Sequence, residues 1–183
     1  MLSELPSTYR PVEYRVKQAA QGWEREEAHR LRRQVFCTEQ GLFGDDDRDG
    51  TDDRAQLLVA LACIAGMPDE VVGTVRIHEE EPGLWFGSRL AVDAAHRKQG
   101  QLGATLIRLA VCSAHAQGCR TFLAHVQSQN LPLFVRMHWT PLREMELLGR
   151  SHHLMRADLD CYPPCSTPET GFVACSGARR AAA

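Results

Sequence analysis

No apolar stretch in this chain of 183 residues is long enough to cross a bilayer: the longest runs only from Leu57 to Met67, where a spanning helix needs about 20 residues. An apolar core is also missing near Met1, where MLSELPSTYRPVEYRVK has nothing of a secretion signal, so a cytoplasmic protein is expected. Excess charge is missing too. Lysine and arginine number 21 against 23 aspartates and glutamates, and a net charge of −2 supplies no basic field to concentrate nucleic acid or an anionic membrane surface. No internal repeat is visible. Cysteine is not scarce, but seven is an odd number, and Cys37, Cys63, Cys112 and Cys119 lie in apolar-patterned segments, so these four are expected to be reduced core thiols. What is present is a 44% hydrophobic composition, enough for one domain that buries roughly 70% of its unfolded surface.

The apolar spacing predicts an ordered succession of elements. GWEREEAHRLRRQVFCTEQ puts Trp23, Ala28, Leu31 and Val35 at helical steps, ending near Gly41. QLLVALACIAG and VVGTVRIHE flank the turn-forming MPDE and predict an antiparallel hairpin, and LWFGSRLAV predicts a further strand. From Gln101 to about His115 a helix is expected, with Leu102, Leu106, Leu109 and Ala110 on one face and Gly118 as its cap; RTFLAHV then returns as a strand. That strand–helix–strand order makes a βαβ crossover with its two strands parallel. A short helix from about Leu131 to Met137 and a hairpin around GRS complete the pattern, and Pro, Ser, Thr, Gly and Ala dominate after Asp160. The expected class is α/β: a mixed, mostly antiparallel sheet with one parallel crossover, covered by helices on both faces. Residues 1–160 form the domain and 161–183 a flexible tail.

HRKQGQLGATLIRLAV, residues 96–111, joins a strand to a helix N-terminus, where unpaired N–H groups and the positive end of the helix dipole favour a phosphate. Glycines let the backbone approach the anion, and Arg97 and Lys98 add charged donors. The spacing is neither that of a Walker loop nor that of a dinucleotide fingerprint. The segment resembles the acetyl-CoA loop of the GNAT (GCN5-related N-acetyltransferase) superfamily, with Leu102 where a second small residue is usual and Gly103 one place late. SRLAVDAAHR, QSQNLPLFVRMHW and SHHLMRADL are similar to that family's neighbouring segments, so the likeness covers about residues 12–160. LRRQVFCTEQGLF is further similar to one bacterial branch, and more loosely to a branch associated with nitrogen starvation.

The resemblance implies an N-acetyltransferase moving acetyl from acetyl-CoA to a small-molecule amine in a ternary complex, with dimers common among its members. It implies that backbone groups of Leu90, Ala91 and Val92 hold the pantetheine arm, and that the turn from Gln99 through Gly100, Gln101 and Leu102 to Gly103 receives the pyrophosphate beside Arg97 and Lys98. Asn130 matches an asparagine that contacts the arm. Phe134 stands where many members carry the tyrosine that protonates the departing thiolate, and a phenyl ring cannot. An amine with a pKa near about 10 must lose a proton before attack. Glu39, Glu13, His78 and His125 are the candidate bases, with Glu39 foremost because it falls in the matched Glu-Gln pair. A non-catalytic acyl-CoA-binding module and an acyl-homoserine-lactone synthase are the alternatives.

Other motifs point to metals and do not complete a site. DDDRDGTDDRAQ places Asp45, Asp47, Asp49, Gly50, Thr51 and Asp53 at calcium-loop positions, but the twelfth is Gln56 instead of the bidentate glutamate. A solvated acidic loop, either lining the amine entrance or simply on the surface, is expected. His152 and His153 alternate faces along a strand and cannot chelate one metal side by side. Cys161, Cys165 and Cys175 lack a fourth zinc ligand at suitable spacing.

Overall fold

The computed structural model describes residues 13–99 and 101–175. Eight strands form one sheet: β1 (Glu13–Gln18), β2 (Gln56–Ile64), β3 (Met67–Glu81), β4 (Leu84–Val92), β5 (Thr121–Gln127), β6 (Trp139–Leu147), β7 (Arg150–Ala157) and β8 (Phe172–Cys175), in spatial order β6-β7-β5-β4-β3-β2-β1-β8. All neighbours are antiparallel except β4 and β5, joined through helix α2 (Leu102–Ala116), so the expected crossover is present. Helices α1 (Gly22–Arg33) and α3 (Leu131–Arg136) complete the regular elements used below.

Strand alternation explains the two layers over the sheet. In β2, Leu58, Ala60 and Ala62 join the core beneath Leu102, Leu106, Leu109 and Ala110 of α2, while Val59 and Leu61 face Ala28 and Leu31 of α1. Gly73 permits this closeness, because a Cβ there would stand 2.9 Å from Leu106 Cδ1. Trp23 departs from the expected apolar stripe of α1 and is 39% exposed. Cys63, Cys112 and Cys119 are buried, Cys37 is half-buried, and all seven cysteines are free thiols. Burial pushes Cys112 and Cys119 up to about 11.

Two boundaries differ from the sequence pattern. The first hairpin turns at Ala65 and Gly66, both with positive φ, and MPDE opens β3 with Met67 opposite Ile64. The segment expected as a tail from residue 161 is packed as far as Cys175: Tyr162 is buried, the Cys165 N–H donates to Cys112 O, and β8 pairs with β1.

Candidate active site

β4 and β5 pair only over Leu84–Gly87 and Thr121–Ala124, and then part. Beyond that point β4 runs on to Val92 and β5 to Gln127, leaving a gap in the middle of the sheet. A cavity of about 540 Å³ fills the gap, with Ser88, Arg89 and Leu90 on one side and His125, Val126 and Gln127 on the other. Gly87, at the parting, has no room for more: a Cβ would lie 3.0 Å from Phe122.

The wall on the β4 side is bent. Between Thr74 and Arg76 the β3–β4 register slips, and Arg89 takes φ +54°, a left-handed backbone that costs a non-glycine residue about a kilocalorie or more. Its side chain is held firmly enough to sustain this. Nε and Nη2 donate to Asp47 O at 3.2 and 2.9 Å, Nε also to Asp47 Oδ2 at 2.9 Å, and the guanidinium lies 4.4 Å from the Phe43 ring centroid. Asp47 in turn accepts from Arg32 Nε at 2.8 Å, both side chains being fully buried. Asp52 takes the other edge of Arg32 at 2.6 and 3.1 Å, and Arg76 reaches Asp49 and Asp52 at 2.7 Å each. Hydrogen bonds from Arg76 hold Asp49 down to about 2, and those from Arg32 and the Asp49 N–H keep Asp52 well below the carboxylate range despite burial. The acidic loop is exposed at Asp45, Asp46, Asp49 and Asp53, as expected of a surface loop, but Asp47, Asp49 and Asp52 also pair with Arg32, Arg76 and Arg89. Sequence reasoning missed Arg32, Arg76 and Arg89, and the one signal was arginine at core-facing places in three apolar-patterned elements.

On the face toward α1, His78 of β3, Phe86 of β4 and His125 of β5 form a row of rings with centroids 6.0 and 5.9 Å apart, parallel within 20°. His78 lies inside β3 and not at its end, with Nε2 3.2 Å from Glu80 Oε2. Desolvation lowers the His78 pKa, and nearby Arg54 lowers it further against Glu80. His125 is the more open of the two, as expected from its alternation with buried Phe122, Ala124 and Val126. Desolvation, then His152 and Arg143, lower its pKa, so both rings are neutral at pH 7. His152 also lines the cavity, with Nδ1 2.9 Å from Arg150 O, while His153 lies on the opposite face.

Helix α1 runs into a wide turn, Gln34–Glu39, in which the Gln40 N–H reaches back to Val35 O. Such π turns insert one residue and re-aim those that follow. Phe36 and Gln40 thereby line the cavity, whereas the adjacent Glu39 does not. The Glu39 carboxylate accepts from Arg97 Nη2 at 2.5 Å, and Arg97 Nε donates to Val92 O at 3.0 Å. Glu13, at the start of β1, pairs with Cys63 of β2 and Cys175 of β8, three strands from the gap.

The loop from Asp93 to Gln101 opens with a short 3₁₀ turn capped by Asp93, and Gln101 adopts φ +49° as the cap of α2. The Thr105 N–H donates to Gln101 O at 2.9 Å, and the first turn of α2 points its N-terminal end, where an anion is favoured, out of this loop. Gly103 faces open space. Lys98 is exposed and Gln99 half-buried, Leu102 is buried in the core, and Gly100 lies outside the described residues. Of the three expected backbone contacts on β4, Leu90 lines the cavity, Ala91 is buried toward α1 and Val92 packs against the core. Asn130 and Phe134 both line the cavity, Phe134 edge-on to Trp139 at 5.0 Å. No cluster of three or more metal-binding side chains occurs among the described residues.

A parted parallel pair, a bulged strand leading to a helix N-terminus and a cavity through the sheet are the parts an acyl-CoA needs. Residues 15–138 match the acetyltransferase (GNAT) family. The chain belongs to that family. Its chemistry is acyl transfer from an acyl-CoA donor, and this GNAT chain is an acyltransferase by membership. No curated protein matches it in sequence. Among solved structures it is similar to ElaA of Escherichia coli (TM-score 0.64, 18% identity, 79% of this chain and 98% of that one). An acyl-CoA N-acyltransferase of Pseudomonas aeruginosa gives 0.60 at 17% identity, covering 79% and 99%. The CoA-dependent acyl-homoserine lactone synthase BjaI, with SAM and isopentyl-CoA, gives 0.67 at 18% identity, covering 87% and 94%. These likenesses concern the fold.

Proposed function

We propose that this GNAT chain moves an acetyl group from acetyl-CoA to the primary amine of a small molecule by direct attack in a ternary complex. The observation that carries the reading is the position of His125: neutral, open to the cavity, and one residue past the point where β5 leaves β4. The pantetheine arm fits the gap beside β4, the pyrophosphate fits the first turn of α2, and Arg97 and Lys98 add charge there. In the transfer, the amine nitrogen bonds to the thioester carbonyl carbon, the carbon–sulfur bond breaks, and His125 takes the proton the nitrogen loses. The departing thiol, acidic with a pKa near about 8.5, leaves as thiolate and takes a proton from water, which suits Phe134 in place of a hydroxyl. Glu39 is better suited to holding Arg97 than to proton transfer, and His78, tied to Glu80, supports the row beside His125.

Free-thiol release from acetyl-CoA with a panel of amines tests this, together with product mass. His125→Phe keeps the ring and removes both nitrogens; turnover is expected to fall roughly 10² to 10⁴-fold, the usual range for losing a general base, with unchanged acetyl-CoA affinity. Wild-type turnover in that variant removes His125 from the mechanism. Tight acetyl-CoA binding without release across the whole panel assigns the chain to a binding module instead.

A further inference from the structure

The acceptor half of the cavity carries its own chemistry, and on the transferase reading above it assigns the acceptor class. We propose that the acceptor is an apolar monoamine with an aromatic ring, of the arylalkylamine kind, and not a polyamine or an amino sugar.

The argument begins with the walls on the α1 side. Phe36 comes from the π turn, Leu42 and Phe43 from the segment after it, Phe86 from β4, and Leu147 and Leu148 from the tip of the β6–β7 hairpin. These are apolar groups from four separate places in the chain, so the lining is not the accident of one element. A second ammonium desolvated here would need a carboxylate, and a sugar's hydroxyls would be set against these apolar walls; the carboxylates nearby are engaged by cations. Glu80 accepts from Arg54 at 2.6 Å and stands 3.2 Å from His78. Asp47, Asp49 and Asp52 hold Arg32, Arg76 and Arg89, and Glu39 holds Arg97. Gln40 Oε1 accepts from Gln127 Nε2 at 2.9 Å.

A polycation would therefore have to displace an arginine from its carboxylate to gain an anchor. Arg89, whose guanidinium lies at the wall, repels it further. A ring meets no such obstacle. The Phe43 face already carries a guanidinium at 4.4 Å, and the His78, Phe86 and His125 row offers aromatic surface beside the base. One amine is sufficient, because His125 accepts one proton and the nucleophile reacts in its uncharged form. An environment without a free carboxylate selects that form over the ammonium.

The test compares kcat/KM for 2-phenylethylamine, spermidine and glucosamine with acetyl-CoA as donor, read as thiol release. The phenyl amine is expected to exceed both others by at least about 30-fold. Phe86→Ala, and separately Phe43→Leu in case the first is poorly folded, should raise the KM for 2-phenylethylamine at least about tenfold while the acetyl-CoA Kd stays unchanged. Spermidine or glucosamine equal to or better than the phenyl amine overturns the acceptor class and leaves the transferase reading intact. Unchanged KM in both well-folded variants overturns the placement of the ring. Acetyl-CoA binding with no thiol release for any amine overturns the transferase reading itself, and the acceptor proposal with it.

Discussion

Replacing Asp47 by asparagine removes one charge and almost no volume from the most enclosed part of the arginine–aspartate cluster. The cluster holds three of each sign, Arg32, Arg76 and Arg89 against Asp47, Asp49 and Asp52, and both Asp47 and Arg32 have side chains with no solvent exposure. Breaking a buried pair by removing one partner costs about 3–5 kcal/mol, because the remaining charge stays desolvated. Arg32 keeps Asp52 on its other edge at 2.6 and 3.1 Å, which places the loss near the lower end, about 3 kcal/mol. For a chain of this size each kilocalorie moves the melting temperature by about 2–4 °C, so a fall of roughly 6–12 °C is expected. Differential scanning calorimetry on wild type and Asp47→Asn measures it. Because the pair is buried, the difference should persist in 0.5 M salt, where surface pairs are screened. A shift of less than about 2 °C, or one abolished by salt, would refute the view that Asp47 is a buried counter-charge.

Gly103→Ala should leave the fold as stable or slightly more so, since the added Cβ meets nothing and alanine is the better helix former; acetyl-CoA affinity should fall at least about tenfold, or about 1.4 kcal/mol. Unchanged affinity in calorimetry moves the pyrophosphate elsewhere. His125 has its pKa lowered from 6.5, so the acidic limb of kcat is expected below pH 6.5 and should vanish in His125→Phe. The same lowering makes the unfolded chain the stronger proton binder as pH drops past 6.5, so His125 and His78 subtract stability on the acid side. Glu39→Gln, which frees Arg97, should keep kcat within about threefold; a loss of the 10² to 10⁴-fold size usual for a general base would restore Glu39 to that role. Millimolar calcium should leave the melting temperature unchanged, since Asp47, Asp49 and Asp52 are held by arginines and the twelfth position is Gln56; a clear rise would show a cation site.

Much of this was legible in residue patterns. Period-two and period-3.6 spacing, with glycine at the breaks, located β2, β4, α2 and β5, and the order of the last three dictated the parallel pair. The glycine turn before α2 pointed to an anion because chain chemistry there is local. Long-range pairing left no such trace. Arg32 finds Asp47 and Asp52 across 15 and 20 residues, and a charged residue on an amphipathic helix ordinarily reads as solvated. The first turn was masked by Pro68 and Asp69, which carry turn character in general but sit opposite β2, while Ala65 and Gly66 take the positive φ values. β8 has four residues, too few for alternation to show. Its approach depends instead on Gly171, where a Cβ would stand 1.9 Å from Val16 O.

The order of the strands also governs how copies of this chain meet one another. Among the described residues the sheet ends in β6 on one side and β8 on the other, and a strand with unpaired amides is a template for another molecule's strand. β6 interrupts that template in its own sequence, TPLREME: Pro141 lacks a donor, the register slips between Pro141 and Arg143, and Arg143, Glu144 and Glu146 make an incoming strand electrostatically unwelcome. β8 is defended by brevity, with only four residues to offer. It also occupies the flank of β1, where six residues would otherwise be open. Removing residues 172–175 would thus unveil a longer border of unpaired amides, and the first symptom should be loss of solubility on concentration, ahead of any loss of acyl transfer.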